Sequence, residues 1–194
     1  ARLDRFEGQA GHDDGFSTAS TRTLAPWQLS AQLYLSLAND PLVVERTSGE
    51  RESEVLSVVE HQLRVHALLG LGVTESLMLY AGIPVDLMQS GDDAEAFGFA
   101  NADGAGLGDL RLGGRYRLWE HAEGRASITA SLDLALPSAR WAARSSSYAG
   151  NQSVSAHPEV ISNIRAGRAQ IVAQVGARLR RPAEFNGLRV GHEI

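Results

Sequence analysis

The chain has no cysteine and, among its 18 basic residues, no lysine. Without thiols, disulfide scaffolds, thiolate metal sites and cysteine nucleophiles are excluded. With arginine as the only cation, every positive charge is in effect permanent and fork-shaped. No uninterrupted apolar run reaches the ~18 residues a membrane-spanning helix needs, but a transmembrane β-strand needs only ~9–11 and stays open. A net charge of −5 and a pI near 5.7, with no basic stripe interleaved with aromatics, exclude nucleic acid as the main partner. Aromatic residues are sparse at 6%, while 43% hydrophobic and 21% charged content is that of one folded domain rather than a disordered chain. No signal peptide stands at ARLDRFEG, which is also how a mature exported chain could begin.

What the sequence has is period-two alternation. Residues 27–39, WQLSAQLYLSLAN, set Leu29, Ala31, Leu33, Leu35 and Leu37 against Gln28, Ser30, Gln32, Tyr34 and Ser36. Residues 59–73 set Leu63, Val65, Ala67, Leu69, Leu71 and Val73 against Glu60, Gln62, Arg64 and His66, with a polar face that fades towards the end. Further strands are expected at 77–85, at 108–119 (GDLRLGGRYRLW), at 126–137, near 159–165 and at 169–181; the closing GLRVGHEI reads as a strand cut short. Residues 1–26 show no periodicity and are expected to form a loosely ordered polar leader ahead of a barrel domain spanning 27–194.

Alternation fits two architectures. In a soluble sandwich the leucines face a core and the arginines face water; in a membrane barrel the leucines face lipid and the arginines a wet lumen. The connections favour the barrel. Those near 74–76, 120–125 and 166–168 are short, whereas 40–57, 87–107 and 138–157 are long, and strict alternation is built into an up-and-down barrel with short turns at one rim. The fold class expected is therefore all-β: an antiparallel up-and-down transmembrane β-barrel with about eight strands visible, apparently an incomplete part of a larger barrel.

This reading assigns Arg64, His66, Arg111, Arg115, Arg117, Asp133, Gln170, Gln174 and Arg178 to the lumen, and Leu63, Val65, Leu110, Leu112, Tyr116, Leu118, Leu132 and Leu134 to lipid. Trp27, Tyr116 and Trp119 would form a thin interfacial belt. A turn near 122–123 sets Asp133 opposite Arg111 or Gly113, and a turn near 75 sets Asp86 opposite Arg64.

Several segments, LDRF (3–6), DPLVV (40–44), VEHQLRVH (59–66), IPVDLMQSGDD (83–93), GDLRLG (108–113), LALP (134–137) and VGHE (190–193), together resemble the N-terminal outer-membrane barrel of myxobacterial OmpA-family proteins. The resemblance implies a barrel in a Gram-negative outer membrane, often followed by a peptidoglycan-binding domain. In those relatives the segment like VGHE opens further strands, whereas this sequence stops at Ile194. The expectation is a fragment, a chain that pairs with another copy, or a small eight-stranded barrel; peptidoglycan tethering is not carried over.

Other motifs read as ordinary. His61 and His66 fall on opposite faces of one strand and cannot share a metal without distortion. Asp13, Asp14, Asp92, Asp93, Asp103 and Asp109 offer oxygen ligands without the EF-hand spacing and read as solvated acids. GAGLG leads into a strand, so it has no helix N-terminus for a phosphate. Ser127 and Ser131 lie mid-strand with no histidine at matching depth, and no helix presents paired carboxylates. No enzyme activity, cofactor or metal is expected. The function expected is a structural or pore-forming outer-membrane barrel whose partner is outer-membrane lipid, with self-association if the barrel is incomplete. The alternative is a soluble or periplasmic lipocalin-like barrel binding a small apolar ligand.

Overall fold

Residues that alternate in polarity satisfy both faces of an extended chain, and the alternating segments become strands. The computed structural model describes residues 9–11, 14, 18–48, 52–93, 102, 104–121, 124–140, 150, 153–167, 169–180, 183–185 and 188–190. Its strands are β1 (Leu29–Ser48), β2 (Glu52–Gly72), β3 (Leu77–Ser90), β4 (Gly106–Leu107), β5 (Leu110–Glu120) and β6 (Ala126–Leu136), then β7 (Ser155–Ala166), β8 (Ala169–Gly176), β9 (Leu179–Arg180), β10 (Ala183–Phe185) and β11 (Leu188–Val190). All main pairings are antiparallel and sequential, in the order β1-β2-β3-β5-β6-β7-β8, with β4 on β3 and β9 on β7. The sheet curls into a half-barrel. Among the described residues its edges are β1 and β8, which do not pair with each other.

Two expectations change. The stretch 40–57 is largely not a loop: β1 and β2 run to Ser48 and from Glu52 as one long hairpin. Pro41 and a positive φ at Asp40 interrupt the hairpin, but a register shift between Asn39 and Leu42 absorbs them and pairing resumes. The tail also differs, since β10 and β11 pair with each other in a separate two-stranded sheet and add no strand to the main one.

Burial runs opposite to that of a water-soluble sheet. Arg64, Arg115, Asp86 and Thr129 are fully buried on the concave face, whereas Leu29 and Leu37 are each 77% exposed and Val175 73% exposed on the convex one. Among the described residues, buried apolar side chains gather in two small clusters, with Ile161 buried apart from both. One joins Ala10 and Leu24 to Leu68, Met78 and Tyr80; the other joins Val58 and Val59 to Ala102.

Gly113 keeps the concave face passable for an aromatic ring. It stands directly opposite Tyr80, and a Cβ there would lie 2.3 Å from the Tyr80 ring. We expect Gly113→Ala to lower unfolding stability by about 1–3 kcal/mol, the usual cost of overpacking. On a Tyr80→Ser background the same exchange should cost little in urea unfolding, because the ring it meets is gone; no loss for Gly113→Ala alone would contradict the packing.

Candidate functional site

The concave face carries two charge networks, and cross-strand register places both. A turn at 73–76 folds β3 back on β2 so that Arg64 faces Asp86. Arg64 donates from Nε to Oδ1 at 2.5 Å and from Nη2 to Oδ2 at 2.9 Å, and neither side chain has any exposed surface. The cross-strand partners Gln62 and Gln89 donate to the same carboxylate at 3.2 and 2.8 Å. Four donors around one carboxylate fix both amides, because either one flipped would present oxygen to oxygen. The Gln62 and Gln89 carbonyl oxygens therefore face away from it, buried and without a partner among the described residues.

The second network spans β3, β5 and β6. Asp133 lies opposite Gly113, and Arg111 reaches it diagonally, with Nη2 donating to Oδ1 at 2.8 Å. The Tyr80 hydroxyl donates to the other oxygen at 2.7 Å. Arg115 stacks over the Tyr80 ring, 5.7 Å from its centroid, and donates from Nη1 to both oxygens of Asp14 at 2.8 Å. Asp14 belongs to the leader.

The leader is not loose where it is described. It crosses the concave face from β1 to β8, and the wall donates to its main chain: Tyr34 to the Gln9 carbonyl, Gln32 to Gly11, Gln174 to Ala19 and Thr129 to Thr21, at 2.8–3.0 Å. The hydroxyls of Thr21 and Ser127 lie 2.5 Å apart. Leu24 packs on Leu68, Met78 and Tyr80, and the Trp27 amide then donates to the Gly72 carbonyl as the chain enters β1. The leader's order comes from these tertiary contacts, which a search for local periodicity does not register.

The remaining assigned residues fall as follows. His66 is buried on the concave face within 3.3 Å of Ser36 Oγ, and Gln174 holds the leader. Arg117 sits at the short-turn rim, paired with Glu120 at 3.0 Å and donating to the Glu75 carbonyl. Gln170 is exposed near the turn between β7 and β8, and Arg178 is half-buried beside β9. Leu112, Tyr116, Leu118, Leu132 and Leu134 are exposed on the convex face, and Leu63, Val65 and Leu110 are half-exposed there. Trp27, Tyr116 and Trp119 are all exposed near the short-turn end.

Of the acids considered for calcium, Asp14 is taken by Arg115, Asp92 accepts the Ser57 amide and Asp109 is buried; Asp13 and Asp103 lie outside the described residues. His61 contacts Asn39 and Glu60, away from His66. Tyr80, Gln62, Gln89 and Asp14 complete the networks and were not singled out for them by the sequence. The available signal was the polar face of β2 fading into Leu68, Gly70 and Gly72, which marks where the leader packs. An apolar groove exists, floored by Ala31, Ala67 and Ala81 beside Leu33, Leu69 and Ile83, but it opens on the convex face.

A family model described as "Putative MetA-pathway of phenol degradation" matches residues 21–180. No curated protein and no solved structure matches the chain.

Proposed function

The chain belongs to this family of MetA-pathway proteins, bacterial β-barrels associated with the outer membrane, and from that premise we propose that it is an outer-membrane barrel with a structural or pore-forming role. The observation that carries the reading is the inversion of its faces. Buried Arg64, Arg115 and Asp86 line the inside while leucines and valines cover the outside. In water that arrangement would expose large side chains, each worth ~1.5–3 kcal/mol when buried, while leaving charges desolvated. In a bilayer both faces are satisfied. The aromatic cluster at the short-turn rim supports an interface there.

The resemblance to the OmpA-family barrel supports the same location, with outer-membrane lipid as partner and no peptidoglycan tether assigned to this chain. The reading gives the chain no catalytic step, so a role in a phenol-degrading pathway would be passage or scaffolding. A lipocalin-like barrel needs an open apolar interior, whereas the apolar patch here, Leu68, Met78 and Tyr80, is filled by Leu24 of the leader and the charge networks of arginine, glutamine and aspartate lie beside it.

Extraction tests the reading. We expect the protein in the outer-membrane fraction, released only by detergent and shifting in gel mobility on boiling. Recovery in the aqueous fraction with unchanged mobility would reject it. Topology gives a second check: with the short turns periplasmic, protease on intact cells should cut between β1 and β2, β3 and β4, or β6 and β7. It should spare 73–76, 121–125 and 167–168, and cleavage confined to those turns would reverse the orientation.

A further inference from the structure

The leader touches the concave wall on β1, β2, β3, β5, β6 and β8, so it lies across the passage rather than along one side of it. Four of its polar contacts run from wall side chains to leader carbonyls. Such donors are satisfied equally well by water once a passage is wet, so the wall does not need the leader in order to persist. Its large apolar anchor, Leu24, sits beside the point where the chain enters β1, which makes that end the hinge.

Arg115 holds the rest through two leader side chains, the Asp14 carboxylate and the Gln9 side-chain carbonyl oxygen. Only Asp14 is charged, and it also accepts from the Gly11 and Ser20 amides, each at 2.6 Å, which makes it the point where the leader is tied both to itself and to β5. Arg115 has a second support in the Tyr80 ring, and Tyr80 is fixed by Asp133. Neutralising Asp14 therefore removes the charged tie and leaves the neutral Gln9 contact as the leader's remaining side-chain bond to Arg115, which stays seated on Tyr80.

We propose that the described leader residues 9–11, 14 and 18–25 plug the polar passage and that the Asp14–Arg115 pair is their latch, so that neutralising Asp14 loosens them and admits small hydrophilic solutes. The inference rests on the barrel reading above. It deepens that reading by naming what closes the lumen.

The chain has no cysteine, so an engineered pair forms one unambiguous crosslink. The full chain is reconstituted in phosphatidylcholine vesicles holding a small anionic dye, with folding checked by heat-modifiable mobility. We expect Asp14→Asn to raise dye efflux about tenfold, the equilibrium change that follows from losing one charge-assisted contact. Adding Thr21→Cys and Ser127→Cys, whose hydroxyls are already in contact, should return efflux to the wild-type rate when oxidised and restore the increase when reduced. In detergent, Asp14→Asn should also speed maleimide labelling of Ala10→Cys by a similar factor. Folded Asp14→Asn protein with unchanged efflux and labelling would make the leader a fixed structural filler and overturn the proposal. If Asp14→Asn does not fold, the crosslink alone decides: the reduced Thr21→Cys/Ser127→Cys protein should begin to leak at lower urea than the oxidised one, and identical profiles overturn the latch. Failure of every variant to insert would count against the barrel reading, and the labelling arm, which needs no membrane, would still decide the plug.

Discussion

Arg64→Met should lower unfolding stability by about 3–5 kcal/mol, because it strands a carboxylate that has no route to water. Asp86 and Arg64 both have zero exposed side-chain surface, and the Arg64 fork supplies two of the four donors around the acid. Gln62 and Gln89 would still donate to Asp86, which holds the loss towards the lower end of that range. The double variant Arg64→Met/Asp86→Leu should recover most of the stability, since a matched apolar pair removes the buried charge altogether. Urea midpoints for the wild type and the two variants in one lipid settle the matter. A single-variant loss below about 1 kcal/mol is what an exposed ion pair gives, and would place these residues in water.

The second large effect is on the other face. Leu132 is 46% exposed on the convex surface of β6, and Leu132→Arg should cost about 2–4 kcal/mol in a bilayer if that surface meets the hydrocarbon core. On a surface facing water the same exchange would fall within about 0.5 kcal/mol of zero. The comparison is made by unfolding both proteins from vesicles. A neutral result with intact insertion would mean that β6 does not face acyl chains at that depth.

The facing pairs are legible in the sequence because period two and turn position together specify register. A turn near 75 is enough to bring Arg64 against Asp86, and one near 122–123 brings Asp133 to Gly113, within reach of Arg111. The split of β5 into Arg111 and Arg115 inside and Leu112, Tyr116 and Leu118 outside follows from the same alternation. What the sequence concealed depends on distant contacts. Thr21 meets Ser127 and Thr129 across more than a hundred residues, and nothing local to STASTRT signals it. The stretch 40–57 reads as a loop because a bulge that restores pairing leaves no periodic trace. Tyr80 was legible as inward-facing by parity, but its role needed the empty space at Gly113 on the facing strand. The closing segment 187–194 read as another strand of the barrel, while the described part pairs only within its own hairpin.

The central claim is that the convex face of this sheet meets lipid and the concave face does not. Nitroxide labels on single cysteines at Ala130, Ser131 and Leu132, introduced one at a time into the cysteine-free chain in vesicles, test it directly. Ser131 is buried on the concave face, while Ala130 and Leu132 point outward. Labels at Ala130 and Leu132 should collide with dissolved oxygen, which concentrates in the bilayer, and be shielded from an aqueous nickel chelate, while the label at Ser131 should show little access to bilayer oxygen. Equal access to the nickel chelate at all three positions, or the opposite alternation, would contradict the account.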